Sequence, residues 1–149
     1  MSSRARAAVA AHVRGADDRR LERTLASRPA LRVLFAVLAR RFDPVGAAGF
    51  TGTVRFELSA SDGRERVWAI VIAGDGTVAR AVANRAVARA MAQEEEAALV
   101  VRASAADFVR LSAGVLHPAR ALLSGRLDVA GDFGVARRLG PMFGLAGVL

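Results

Sequence analysis

The side chains in this sequence that could carry out chemistry are few and lie far apart. The two histidines, His12 and His117, have no partner at the spacing of metal ligands, and His117 precedes Pro118 at a predicted helix start. The absence of cysteine excludes thiolate nucleophiles, thiolate metal sites and disulfides. No serine lies in a Gly-x-Ser-x-Gly turn of the kind that holds a catalytic nucleophile. We therefore expect neither a metal ion nor a cofactor.

Three acidic motifs have simpler structural explanations than a catalytic site. Residues Asp132–Gly134 spell the kinase magnesium triplet, but a kinase also needs a Gly-rich loop and a strand lysine, and the chain has no lysine. Asp75–Gly76 is a turn, because no phosphate-loop pattern follows it. The adjacent carboxylates of Glu94–Glu96 point in different directions in a helix or strand, which favours a solvated loop over a metal site. We predict no catalytic residues and no enzymatic activity.

The positive charge is concentrated at the N-terminus. The chain has 149 residues and a net charge of +8, and residues 1–42 contain ten arginines against three acids. Residues 43–149 contain twelve arginines against eleven acids. This segment is either a solvated helical face or a surface attracted to anionic lipid or nucleic acid. Because nucleic-acid motifs are missing and Phe and Trp total eight, we predict no nucleic-acid partner, and transient contact with an anionic membrane surface stays open.

The length and hydropathy predict one globular unit without a membrane span. No run approaches about 18 consecutive apolar residues, and residues 1–15 lack the apolar core of a secretory signal. The lack of cysteine fits a reducing compartment, so we expect a cytoplasmic protein. We expect an Arg-rich helical segment over residues 1–50, packed on a domain formed by residues 51–149.

The periodicity in the N-terminal half changes from helical to strand-like. Helices are predicted over residues 4–14 and 17–27, and a third from Leu31, ending at Asp43-Pro44, with a loop over residues 45–49. Strands are predicted over residues 53–58, 67–72, 77–82 and 98–103. The second is apolar on both faces and is expected to be central. Residues 84–96 are either a short helix or a polar hairpin arm.

Capping and stop signals divide the C-terminal part. Ser104 and Asp107 are predicted to cap a helix that ends at Gly114. A helix from Pro118 to the stop at Gly125, a strand over residues 126–130 and a final helix capped by Asp132 follow. The apolar tail of residues 141–149 is expected to pack against the protein.

Several short motifs occur in order between residues 52 and 143: Val54-x-Phe56-x-Leu58, Trp68-x-Ile70, Ala106-Asp107-Phe108-x-x-Leu111-x-x-Gly114, Pro118-x-x-Ala121, Leu123-x-Gly125-x-Leu127-x-Val129-x-Gly131-Asp132 and Leu139-x-x-Met142-Phe143. Together they resemble the sterol carrier protein 2 (SCP-2) family of lipid-binding domains. The resemblance implies an α+β fold, with a five-stranded, mainly antiparallel sheet covered by helices. It also implies an apolar tunnel between sheet and helices for a fatty acyl, sterol or related lipid, without catalysis.

The candidate ligand-binding residues are large apolar side chains, each of which could instead be ordinary core. They are Phe50, Phe56, Trp68, Ile70, Phe108, Leu111, Leu122, Leu123, Leu127, Val129, Leu139, Met142 and Phe143. Two alternatives to lipid transfer remain open. One is an accessory module of the same fold with a filled core, which docks a partner through its Arg-rich helices. The other is a lipid-acting enzyme that uses Asp107, His117 or Asp132.

Overall fold

The computed structural model describes residues 3–73, the backbone of residues 79–83, and residues 97–143. The helices are α1 (Ser3–Gly15), α2 (Asp18–Arg23), α3 (Arg28–Arg40), α4 (Pro44–Ala47), α5 (Ala105–Ser112), α6 (Pro118–Leu123) and α7 (Phe133–Phe143). The strands are β1 (Gly52–Ser59), β2 (Glu65–Ile72), β3 (Ala79–Ala83), β4 (Leu99–Ser104) and β5 (Leu127–Gly131). Helices precede and follow the strands of one sheet, which is an α+β arrangement.

Side-chain caps set the helix boundaries in the N-terminal part. Asp17 accepts a hydrogen bond from the Arg20 backbone N–H at 2.8 Å and begins α2, which is shorter than the predicted helix over residues 17–27. The Ser27 hydroxyl accepts from the N–H of Ala30 and begins α3. The predicted loop over residues 45–49 was partly wrong. A further short helix, α4, begins there, and the Asp43 side chain caps it by accepting a hydrogen bond from the N–H of Val45. Pro44 favours this helix start, because its fixed φ angle suits a first helical turn.

The strands form a mixed sheet in the order β3-β2-β1-β4-β5. Three neighbouring pairs are antiparallel, and β1 pairs with β4 in parallel. The sheet is therefore not purely antiparallel, and a parallel pair requires the chain to cross over between its strands. Residues 67–72 form an interior strand, as their apolar faces predicted: β2 lies between β3 and β1, and β1 is the middle strand.

One face of the sheet is apolar and covered by helices, and we call it the inner face. The strand alternation predicted this arrangement, because Val54, Phe56 and Leu58 of β1 are all buried. Trp68 and Ile70 of β2 are buried on the same face, as their pairing with Phe56 and Val54 requires. The opposite face carries charged side chains that form ion pairs along the sheet: Arg55, Glu57, Arg102 and Asp128.

The predicted cap at Ser104 and the stops at Gly114 and Gly125 are confirmed, whereas the Asp107 carboxylate binds Arg110 and Arg126. The Ser104 hydroxyl accepts from the N–H of Asp107 at 3.0 Å at the start of α5. Gly114 and Gly125 follow α5 and α6 with positive φ angles of 74° and 76°. Residues 141–143 are the last turn of α7 and not a separate tail, and Met142 and Phe143 are buried there. The predictions for residues 84–96, for residues 77–78 and for residues 144–149 lie outside the described residues.

The N-terminal helices share the hydrophobic core of the sheet. Val13 of α1, Leu21 of α2 and Phe35 of α3 are fully buried in one cluster that also contains Phe143 of α7. On α3 the predicted apolar stripe faces inward, with Leu31 and Phe35 buried. Segment 1–50 therefore contributes core side chains to the same packed structure as the strands.

The backbones of α4 and α7 approach each other closely at Gly46. A Cβ atom placed on Gly46 would lie 2.3 Å from the carbonyl oxygen of Pro141. The backbone N–H of Asp43 donates to the carbonyl oxygen of Met142 at 2.7 Å, which fixes the same two segments. Only glycine therefore allows this contact between backbones.

We predict that Gly46→Ala destabilises the protein by at least about 1 kcal/mol, because a methyl group would collide with backbone atoms that cannot rotate away. Chemical unfolding of the two proteins measures the difference. Gly15→Ala is the matched control, since a Cβ atom at Gly15 in α1 meets nothing within 4 Å. This control should be neutral or stabilising. Equal stabilities of wild type and Gly46→Ala would contradict the close approach.

Candidate ligand-binding site

Four aromatic rings from four elements meet between the inner face and the helices. Phe35 of α3 stacks on Trp68 of β2 and on Phe108 of α5, with ring centroids 4.8 and 5.3 Å apart. Phe56 of β1 contacts the edges of Phe35 and Phe108 at 5.2 and 5.4 Å. All four side chains are buried. We call this group the aromatic cluster.

Most of the predicted binding residues lie on or near the inner face. Phe56, Trp68 and Phe108 are brought together in the aromatic cluster. The other buried members are Ile70, Leu127, Met142 and Phe143. Four further members are partly buried and pack against the core: Phe50, Leu111, Val129 and Leu139. The structure thus groups eleven of the predicted residues around one apolar core, which is compatible with both a lipid wall and a filled interior.

Leu122 and Leu123 do not face the interior, which corrects their expected placement. Leu122 is 37% exposed and Leu123 is 90% exposed, whereas Pro118 and Ala121 form the buried side of α6. Leu123 lines an open surface groove of about 490 Å³ together with Leu116, Arg120, Ser124 and Arg126. In a helix of six residues the sequence period does not identify the inner side, and here the smaller residues occupy it.

Phe35 is the cluster member that was missing from the predicted site. It belongs to the apolar stripe of α3, so its burial was predictable, but its ring partners are distant in sequence. Phe35 has no exposed surface, and its ring lies nearly parallel to those of Trp68 and Phe108. At this position in the described structure the space between sheet and helices is occupied by rings in contact.

A buried carboxylate connects α5 with the segments around it. Asp107 Oδ1 accepts from Arg110 Nη1 at 2.8 Å and from Arg126 Nη2 at 2.5 Å. Arg110 Nη1 also donates to Asp18 Oδ1 at 2.6 Å, and Arg110 Nη2 donates to the carbonyl oxygen of Ala16. The sequence identified Asp107 as a capping residue and as a candidate catalytic residue. It did not identify this network, because Arg126 and Asp18 come from other parts of the chain, although Arg110 lies three residues along the same helix. We call these residues the Asp107 network.

The position of Asp107 has two opposing effects on its acidity. Burial by itself would raise the pKa of Asp107, and hydrogen bonds and charge from Arg126 and Arg110 lower it. The lowering prevails, so the pKa of Asp107 lies below its ordinary value. The residue is therefore a fixed anion at neutral pH and cannot serve as a general acid there.

The other two candidate catalytic residues, His117 and Asp132, cap helices. His117 Nδ1 accepts from the N–H of Ala119 at 3.1 Å and caps α6, and Asp132 Oδ1 accepts from Gly134 and caps α7. Within the described residues, no three His, Cys, Asp or Glu side chains are placed to hold a metal ion. No helix among them is long and apolar enough to cross a membrane.

This fold and core define a class of small α+β domains with an apolar sheet face under helices. Residues 43–144 match the model of the SCP-2 sterol transfer family, and the chain belongs to that family. No curated protein sequence matches the chain.

Three solved structures show how widely the fold is shared. The apo form of sterol carrier protein 2 from Yarrowia lipolytica is 14% identical, with a TM-score of 0.55 over 78% of this chain and 89% of that one. A palmitated SCP2L2 from Aedes aegypti is 16% identical, with a TM-score of 0.51 over 76% and 89%. The sec-alkylsulfatase Pisa1 from Pseudomonas sp. is 22% identical, with a TM-score of 0.52 over 75% of this chain and only 15% of that enzyme. At these identities the similarity establishes the fold alone.

We predict that Asp107→Asn lowers the free energy of unfolding at pH 7 by about 2–3 kcal/mol, because it leaves two arginines without their shared anion. The folded-state pKa of Asp107 is depressed, so its carboxylate stabilises the fold above the unfolded-state pKa of about 3.9. That contribution is lost as the pH falls below this value. Wild type should therefore lose more stability than Asp107→Asn between pH 5 and pH 3.

Urea unfolding at pH 7, 5 and 3 measures both effects. Asp128→Asn is the matched control, since Asp128 is exposed and pairs with Arg102 at 3.5 Å on the sheet surface. This variant should stay within about 0.5 kcal/mol of wild type at pH 7. An identical acid response in wild type and Asp107→Asn would show that the network contributes nothing.

Proposed function

We propose that this domain binds a single-chain apolar lipid between the inner face of the sheet and helices α3 and α5, and carries it without catalysis. The observation that supports this function is the continuous apolar inner face, of which the aromatic cluster is the centre. The guest would separate rings that contact one another in the described structure. The relative from Aedes aegypti, whose structure is of a palmitated form, supports an acyl chain as the guest.

The energies are compatible with reversible carriage. Burying about fourteen methylenes gains about 11 kcal/mol relative to water, at about 0.8 kcal/mol per methylene. Separating the four ring contacts of the cluster costs about 2–6 kcal/mol, at roughly 0.5–1.5 kcal/mol each. The guest is therefore held against water. A bilayer offers nearly the same burial without the cost of opening, so release into a membrane is favourable.

A second candidate function follows from the packing of the rings. Phe35 is wholly buried and stacks on two partners, which is the arrangement expected of a filled core. A domain of this kind would serve as an accessory module, and its exposed arginines would contact a partner. The sulfatase supports the idea that the fold can form part of a larger protein, since the match covers 15% of that chain.

The arginines of residues 1–42 suit transient contact with an anionic membrane. All ten are exposed, and within the described residues none takes part in an ion pair. A guanidinium near an anionic bilayer gains about 1 kcal/mol, and the attraction is screened by salt. Such contact would bring the site close to the source of the lipid.

We predict that wild type binds palmitate saturably, with one lipid per chain in native mass spectrometry and a change in tryptophan emission. The chain has one tryptophan, Trp68, and it stacks on Phe35, so a guest among the rings changes its surroundings. Phe35→Leu should raise the affinity for palmitate at least about threefold, because it lowers the free-energy cost of separating the rings. Val33→Ala, at an exposed position on α3, is the control and should bind as wild type does. Saturable binding by Phe35→Leu alone would favour the filled-core module.

We also predict that changing Arg14, Arg19, Arg20 and Arg23 to Gln weakens binding to vesicles that contain anionic lipid by at least about tenfold at low salt. Co-sedimentation with such vesicles and with neutral ones measures the effect. Arg137→Gln with Arg138→Gln is the comparison, because both side chains are exposed on α7, far along the chain from the basic segment. Equal losses in the two variants would remove any special role of the N-terminal arginines.

A further inference from the structure

Arg66 is the one charged residue on the inner face of strands β1, β2, β4 and β5 as described. Its Cα pairs with that of Leu58, which is fully buried, and it lies two residues before Trp68 on the same side of β2. The other inner positions of these strands carry apolar side chains or glycine: Gly52, Val54, Phe56, Leu58, Trp68, Ile70, Ile72, Leu99, Val101, Ala103, Leu127, Val129 and Gly131. A guanidinium therefore lies at one end of an otherwise apolar surface.

Two nitrogens of this guanidinium are buried without a hydrogen-bond partner. Arg66 Nε and Nη1 have no acceptor, although the residue as a whole is half-buried. Burying charged donors unsatisfied is costly, so such groups normally have an acceptor. Arg110 shows the usual arrangement in this protein, because its donors reach Asp18, Asp107 and a backbone carbonyl.

Three acids near this end of the sheet are occupied elsewhere. Glu22 accepts from the backbone N–H and the hydroxyl of Ser61. Glu57 lies on the opposite face, where it pairs with Arg55 and Arg102. Asp107 is held by Arg110 and Arg126. No carboxylate among the described residues neutralises Arg66, and the missing anion fits one that arrives with a ligand.

We propose that Arg66 binds the carboxylate head group of a fatty acid whose chain lies along the inner face, an inference that rests on the proposed lipid-binding function. A carboxylate offers acceptors to the planar guanidinium, and a charge-assisted hydrogen bond is about twice as strong as a neutral one. A sterol hydroxyl or an ester would leave the buried charge without an anion. The head group also supplies the selectivity that apolar burial cannot, because burial is equally available in a bilayer.

The test compares palmitate with methyl palmitate at pH 8, using Trp68 emission to measure affinity. Wild type should bind the acid at least about tenfold more tightly than the ester, as expected when an ionic hydrogen bond is made. Arg66→Leu should reduce this preference to within about twofold while ester binding is kept, and Arg66→Lys should retain part of it. Arg64→Leu removes the same charge from an exposed position two residues away and should behave as wild type.

Thermal unfolding without ligand provides a second readout. Arg66→Leu should unfold at the same temperature as wild type or higher, since it removes an unsatisfied buried charge. A purely structural arginine would instead lower stability when replaced. Equal affinity of wild type for acid and ester, or an unchanged preference in Arg66→Leu, would overturn the head-group assignment while leaving lipid binding intact. Failure of wild type to bind either compound would overturn both proposals.

Discussion

The stacking of Phe35 on Trp68 and Phe108 is the contact on which the rest of the structure depends. It joins α3, β2 and α5, and the edge contacts of Phe56 add the central strand β1. These elements are distant in the chain, and the rings bring them together within one hydrophobic core. The same rings define the centre of the apolar inner face. In the proposed function, stability and guest binding would use the same surface, and a guest would replace part of the packing that holds the helices to the sheet.

The Asp107 network has a complementary role, because it adds ionic and hydrogen-bond contacts between α5 and the N-terminal helices to their apolar packing. Arg110 joins Asp107 of α5 to Asp18 at the start of α2 and to the carbonyl oxygen of Ala16. Arg126 reaches the same carboxylate from the start of β5. A partly buried ionic group is sensitive to geometry, because removing one partner leaves the others without a counter-charge. The α5 helix, which carries Phe108, is thus held by residues that come before it and after it in the chain.

Local features of the fold were predictable from the sequence, and contacts between distant segments were not. The alternation around Val54 and the cap at Ser104 are properties of a few neighbouring residues, and the structure has both. The parallel pairing of β1 with β4 depends on a crossover that no local pattern records. For the same reason the sequence placed Phe35 in a core stripe without identifying its ring partners. Arg66 could have been noticed as a charge in an apolar alternation, but its unpaired nitrogens required coordinates.

The balance of forces at the site also explains why a single inward charge matters. Apolar burial is nonspecific, because the free energy gained depends on the length of the acyl chain and is nearly the same in the protein and in a bilayer. The rings add a cost of opening, which favours the membrane. A polar contact inside the site is then the term that can distinguish one lipid from another, because a buried donor left unpaired is penalised. In the proposed function Arg66 would provide that term, while the exposed arginines of residues 1–42 would act at the surface, where salt screens them.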